Sequence, residues 1–180
     1  MLAIGGAMVN TFLAAQGFTI GASLYEPDFL EAARGLLAEH GQKIWLPTDV
    51  MVARSLDDAR HAQMRLITDV RDDEAIFDIG PGSCLQLENK ISQCRTLLWN
   101  GPLGVFERPP FDRGTIFIAQ AAARLTQQGA LRSIAGGGDT VAALHHAGVI
   151  GEFTYVSTAG GAFLEWLEGK PLPGVVALGR

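Results

Sequence analysis

The chain has 180 residues, of which 48% are hydrophobic and only 18% charged, and its net charge is −5. That length suits one domain with a core able to stand without disulfide or metal staples, and the hydrophobic content excludes intrinsic disorder. The mildly acidic balance argues against non-specific binding to DNA, RNA or anionic lipid.

No segment approaches the run of about 18 apolar residues that a membrane span needs. The opening Met-Leu-Ala-Ile-Gly-Gly has no basic leader and no cleavage signal. Cys84 and Cys94 have no zinc-type spacing and make no disulfide framework. A reduced, cytoplasmic protein with no membrane or nucleic-acid partner is expected.

In chain order, Leu2–Ile4 reads as a short strand, followed by Gly5 and Gly6 and a helix from Met8 to Ala15. Glu26-Pro-Asp-Phe opens a second helix to Glu39, with Pro27 suited to a first helical position and Gly41 as its stop. Lys43–Leu46, Asp49–Ala53, Arg65–Asp69 and Ala75–Ile79 are strand-like. Gly80-Pro-Gly-Ser leads into a helix over Ser83–Gln93, then a strand over Arg95–Trp99 and a loop from Asn100 to Gly104. A long amphipathic helix is predicted over Phe111–Gln127, a strand over Leu131–Ala135 and a helix through His145. A last strand, Phe153–Val156, precedes a helix through Glu168.

This alternation predicts a single α/β unit over residues 1–180, with a largely parallel sheet and ligands at the carboxyl ends of its strands. The 22 glycines are not periodic, and they cluster at those ends: Gly5–Gly6, Gly101–Gly104, Gly136–Gly138 and Gly160–Gly161.

Three of these clusters could carry chemistry. Gly136-Gly-Gly-Asp139-Thr140 follows a strand and starts a helix, where the backbone can approach a ligand and free N–H groups attract an anion. Asp139 there could cap the helix or hold Mg²⁺. Ser157-Thr-Ala-Gly160-Gly161 repeats the design one strand later. Trp99–Glu107 sets a carboxylate beside the apolar Val105-Phe106 pair, a combination that suits a nucleoside ring and its ribose hydroxyls. On chemistry alone a solvated glutamate on a loop is the better account of Glu107. The sequence has no P-loop, no dinucleotide fingerprint after the first strand and no nucleophile elbow. None of the four histidines reads as a catalytic base, and the adjacent His145 and His146 diverge too far on a helix to chelate one metal together.

Three segments together resemble phosphoglycerate kinase: WNGPLGVFE at Trp99–Glu107, SIAGGGDT at Ser133–Thr140 and STAGGAFLEWLEGKPLPGV at Ser157–Val175. IGGAMVNTFLAAQG at Ile4–Gly17, SLYE at Ser23–Glu26 and PTDV at Pro47–Val50 fit in the same order. The family is a monomeric, two-domain glycolytic enzyme that moves a phosphoryl group between 1,3-bisphosphoglycerate and ADP with Mg²⁺. The resemblance covers its C-terminal, nucleotide-binding domain. It implies a Rossmann-like parallel sheet with helices on both faces, and ADP or ATP as substrate. The N-terminal domain that would carry 3-phosphoglycerate, and the family's Gly-Gly-x-Lys-Val segment, have no counterpart in this sequence.

Residue by residue, the resemblance implies that Glu107 holds the ribose hydroxyls and that Asn100 and Pro102 line the nucleotide site. Gly5 and Gly6 form the nucleotide-side turn. Gly137, Gly138, Asp139 and Thr140 surround the phosphates, with Asp139 near Mg²⁺. The N–H groups of Gly137 and Gly160 would stabilise the phosphoryl group in transfer. Ala7 and Ala159 stand where many members have glycine. The nucleotide half of such a kinase, inactive alone, is the expectation; the alternative is a free-standing nucleotide- or anion-binding module. An oxidoreductase is disfavoured by the missing dinucleotide fingerprint.

Overall fold

The computed structural model describes residues 1–157, 161, 162, 165 and 168–177. The chain opens with β1 (Leu2–Ala3), which pairs in parallel with β2 (Ile44–Trp45) across the helices α1 (Gly6–Ala15) and α2 (Leu30–His40). Val9, Phe12 and Leu13 follow helical spacing on α1 and pack with Ile4, Ile20 and Ala33 as a small core. Pro27 begins a 3₁₀ turn, Pro27–Phe29, rather than the α-helix itself, which starts at Leu30.

The middle of the chain departs from the predicted parallel sheet. β3 (Asp49–Ala53) lies between β4 (Gln63–Leu66) and β5 (Ala75–Ile79) and is antiparallel to both. The link Arg54–Ala62 holds only 3₁₀ turns over Leu56–His61 and is shorter than the dozen or so residues of a parallel crossover, so β4 folds back on β3. Arg65 on β4 reaches Glu74 through Nη2 at 2.9 Å and Nε at 3.2 Å, which anchors the outer strand to the start of β5.

The rest is a regular parallel unit. It runs α3 (Pro81–Ser92), β6 (Thr96–Asn100), α4 (Arg113–Gln127), β7 (Arg132–Gly136), α5 (Gly138–His146) and β8 (Tyr155–Ser157). The strands pair in parallel in the order β6-β7-β8, with Asn100 opposite Gly136 and Gly136 opposite Ser157. This register brings the strand ends level, so the loops that follow β6 and β7 emerge side by side. The main core gathers Cys84, Leu87 and Ile91 of α3, Ile118, Ala119, Ala122 and Ala123 of α4, and Trp99, Ala135, Leu144 and Phe153. The helix predicted through Glu168 falls partly outside the described residues.

Two buried carboxylates join these parts. Asp49 accepts from the N–H groups of Gly82 (2.9 Å) and Ser83 (2.6 Å) in the first turn of α3, and Ser83 Oγ accepts in return from the Asp49 N–H at 3.1 Å. An acidic side chain at a helix N-terminus is electrostatically favoured there. Asp78, at the far end of β5, accepts from the Ile79 N–H at 2.9 Å and, through Oδ2, from the Gly114 N–H of α4 at 2.7 Å. Gly104 lies against this carboxyl: a Cβ there would overlap Asp78 Oδ1 and approach the Phe111 carbonyl to 2.6 Å.

Burial pushes the Asp78 carboxyl up to about 7, outweighing its two N–H bonds, and the nearby Asp112 carboxylate pushes the same way. In the unfolded chain the group ionises near 4. Between those values the folded state keeps a proton that the unfolded state has lost. This contribution to stability is therefore complete below about pH 4 and is lost as pH rises through about 7. Asp78→Asn removes the titration, so denaturation curves from about pH 4 to 7 are expected to fall less for the variant than for the wild type. A constant difference between the two across that range would show that Asp78 does not titrate in this way.

Candidate functional site

The site is built on the loop between β6 and α4. Its backbone is fixed from all sides. Thr115 Oγ1, fully buried in the first turn of α4, accepts from the Leu103 N–H at 3.0 Å and the Gly104 N–H at 3.3 Å. Trp99 Nε1 donates to the Gly101 carbonyl at 2.5 Å, and the Val105 N–H donates to the Phe77 carbonyl at 2.8 Å. Phe77 and Phe111 pack against each other with their rings tilted by 48° and ring centres 4.9 Å apart. The two glycines and Pro102 give a chain that can follow this path without side-chain obstruction.

Two helix starts abut this one loop. At the first, the Gly6 N–H donates to the Leu103 carbonyl at 2.9 Å, and Gly6 has φ +60°. A Cβ on Gly5 would stand 2.6 Å from Leu103 Cδ2 and one on Gly6 3.3 Å from the Pro102 carbonyl, so the paired glycines are what let α1 come so close. At the second, the Gly101 N–H donates to Thr140 Oγ1 at 2.6 Å. Strand β7 runs through Gly136, and Gly137 alone joins it to α5, at φ +98° and ψ 144°. A Cβ at Gly137 would sit 2.7 Å from Asn100 Oδ1, which places Asn100 against the turn as well as on the loop.

Among the described residues neither helix has a side-chain cap bond at its N-terminus. First-turn N–H groups without intrahelical partners and a positive dipole end form a setting for an anion. Asp139 lies exposed in the first turn of α5, and its carboxylate makes no hydrogen bond among the described residues. Gly138 is exposed beside it.

Besides Gly6, two of the sequence-picked residues are engaged internally. The Gly137 N–H, which the resemblance assigns to the transferring phosphoryl group, donates to the Ser157 carbonyl at 3.1 Å. Among the described residues the first-turn N–H groups without a hydrogen bond are thus those of Gly138, Asp139 and Thr140. Thr140 is buried, with its hydroxyl on Gly101 rather than in the open turn. Glu107 is exposed on the same loop and makes no hydrogen bond or ion pair among the described residues. Gly160 and Ala159 lie outside the described residues.

Sequence reading missed the residues that hold the site together from behind: Asp78, Thr115, Asp112 and His146. The predicted helix began at Phe111 and so hid Asp112 inside it, whereas the observed helix starts one residue after Asp112; nothing local marks Asp78 or Thr115, whose partners lie 36 and 12 residues away. A cleft of about 300 Å³ lies at the opposite end of the antiparallel sheet, beside Arg54, Asp58, His61 and Asp73. Its charges are largely self-paired, Arg54 with Asp73 at 3.0 Å and His61 with Asp58 at 2.5 Å. Among the described residues no group of three or more His, Cys, Asp or Glu side chains could hold a metal, and no helix is long and apolar enough to cross a membrane.

Comparison with known proteins agrees with this architecture. The family model for phosphoglycerate kinase matches residues 1–170. Phosphoglycerate kinase of Azorhizobium caulinodans is 53% identical, over 100% of this chain and 46% of that protein. That of Methylorubrum populi is 55% identical, over 99% of this chain and 45% of that protein. Among solved structures, phosphoglycerate kinase from Coxiella burnetii superposes with a TM-score of 0.86 at 45% identity, covering 94% of this chain and 44% of that one. The enzyme from Pyrococcus horikoshii reaches 0.82 at 27% identity, covering 99% and 44%. The chain thus spans a little under half the length of the relatives it matches, and its Rossmann-like architecture is theirs. With the motifs in order, the fold shared and the match running nearly end to end, the chain belongs to the phosphoglycerate kinase family.

Proposed function

We propose that this chain is the nucleotide-binding part of a phosphoglycerate kinase, holding Mg·ADP or Mg·ATP for reversible phosphoryl exchange with 1,3-bisphosphoglycerate and 3-phosphoglycerate in cytoplasmic glycolysis. The observation that carries this is the convergence of two uncapped helix starts, at Gly5–Gly6 and Gly137–Asp139, on the loop that carries Glu107. An anion receptor beside an exposed acceptor on an apolar loop matches the two ends of a nucleotide.

In this reading Glu107 accepts from the ribose hydroxyls. Asn100 and Pro102 line the nucleotide, and the Gly5–Gly6 turn closes its other side. Gly137 supplies the bend that aims α5, while the Gly138 and Asp139 N–H groups face the phosphates. Gly160 keeps the role that the resemblance gives it, as a second donor to the transferring group. Phosphoryl transfer asks the protein mainly for positioning and charge stabilisation. No side-chain base is required, because the acceptor oxygens are already anionic.

The donor set suits Mg²⁺, which commonly takes one or two carboxylates and completes its shell with water and substrate phosphate. Asp139, exposed and free of a capping bond, is the residue to hold it. Mg²⁺ bound there neutralises charge on the phosphoryl oxygens. The glycerate substrate belongs to the part of the relatives that this chain does not match, so the 180 residues by themselves are expected to bind nucleotide without turning over.

Titration calorimetry is expected to show the folded chain binding Mg·ADP, and a coupled assay is expected to show no kinase turnover until the remaining half of a relative is supplied. Folded protein with no affinity for nucleotide would overturn the assignment.

Glu107→Ala is expected to weaken ADP while sparing inorganic phosphate, since a hydrogen bond to a charged group is worth roughly 1.5–3 kcal/mol. Equal losses for the two ligands would make the carboxylate structural. Asp139→Ala is expected to weaken Mg·ADP, leave metal-free ADP unchanged or slightly tighter, and leave the denaturation midpoint in place. An undiminished Mg²⁺ effect in the variant would rule out the metal role.

A further inference from the structure

Helix α5 meets the Glu107 loop at both of its ends. Its first turn is tied by Thr140 Oγ1 to the Gly101 N–H at 2.6 Å. Its last residue, His146, stands over the other end of the same loop. His146 Nε2 lies 3.1 Å from Asp112 Oδ2, and its ring meets Phe106 edge-on with centres 6.3 Å apart. Phe106 immediately precedes Glu107, and Asp112 is the residue from which α4 departs.

Asp112 occupies the N-cap position of α4, yet its side chain makes no capping bond, and it is buried. Its carboxylate is directed at His146 instead. A buried carboxylate beside a second one, Asp78, needs such a donor. At 1.5 Å per residue the helix places His146 roughly 12 Å from the Gly137 turn. It is therefore remote from any phosphate bound there and cannot act on one directly.

We propose that His146 is a positioning residue: with Thr140 it braces α5 against the loop at two points and so fixes the separation between the Glu107 carboxylate and the Gly138–Asp139 turn. The inference rests on the nucleotide reading of this site. A ligand spanning both places gains from a fixed separation, because the protein need not be ordered when it binds. A ligand that touches only one place gains nothing from it. The brace therefore selects for molecules that carry a ribose at one end and phosphates at the other.

That difference makes the test. Affinities of the chain for Mg·ADP, adenosine and Mg·pyrophosphate are measured for the wild type, His146→Ala and His146→Gln, with a denaturation curve for each. His146→Ala is expected to weaken Mg·ADP by about tenfold. Adenosine and pyrophosphate should each stay within about twofold. His146→Gln, whose amide can still donate to Asp112, is expected to restore most of the Mg·ADP affinity. Should His146→Ala fail to fold, Asp112→Ala breaks the same bond from the other side and is read identically. Equal weakening of all three ligands, or undiminished Mg·ADP binding, overturns the brace and leaves the nucleotide assignment standing. A wild type that binds none of the three overturns both.

Discussion

The carboxyl of Asp78 is the point from which the functional side of this molecule is hung. It is buried where the last strand of the antiparallel sheet meets the first turn of α4, and it receives N–H groups from both sides of that junction. Gly104 has to lack a side chain because Asp78 occupies the space. That close approach lets Thr115 reach the loop backbone and hold it. A buried acid is an expensive way to join two elements unless it is hydrogen-bonded, and here both oxygens are. The loop inherits a single shape from a network that lies entirely beneath it.

Above that network the site is made almost wholly of backbone. Two helices point their starts at the loop, and side chains intervene only where a contact is needed: Thr140 on Gly101, Asn100 beside Gly137, and Asp139 and Glu107 outward. A receptor of this kind suits phosphoryl chemistry, in which charge is spread over several oxygens and no proton needs to be lifted.

The parallel half was legible in the sequence because its signals are local. Short apolar runs ended in glycine, and helices with periodic apolar faces followed, so β6, β7, α4 and α5 fell close to their expected bounds. The antiparallel sheet was not legible, since a strand does not announce the direction of its partner. Only the shortness of the Arg54–Ala62 link hinted at it. The PTDV motif could be matched but not understood: Asp49 proves to hold the start of α3. Likewise the glycine run Gly136–Gly138 marked a turn correctly, but which N–H groups remain open depends on the pairing of Gly137 with Ser157, a partner twenty residues on. His146 was weighed only with its neighbour His145, as a metal-chelating pair that helix geometry disfavours. Its actual neighbours, Phe106 and Asp112, are distant in sequence.

The single-residue link between β7 and α5 also fixes chain length at this point. With Gly137 alone between strand and helix, one inserted residue would rotate α5 by about 100°. Thr140 would then turn away from Gly101, and His146 would turn away from the loop, in the same event. The turns of Leu56–His61, on the far edge of the antiparallel sheet, carry no such double registration and can lengthen by looping outward. Length variation in this fold should accordingly collect at that distant edge, while the strand-to-helix junction at Gly137 admits no insertion.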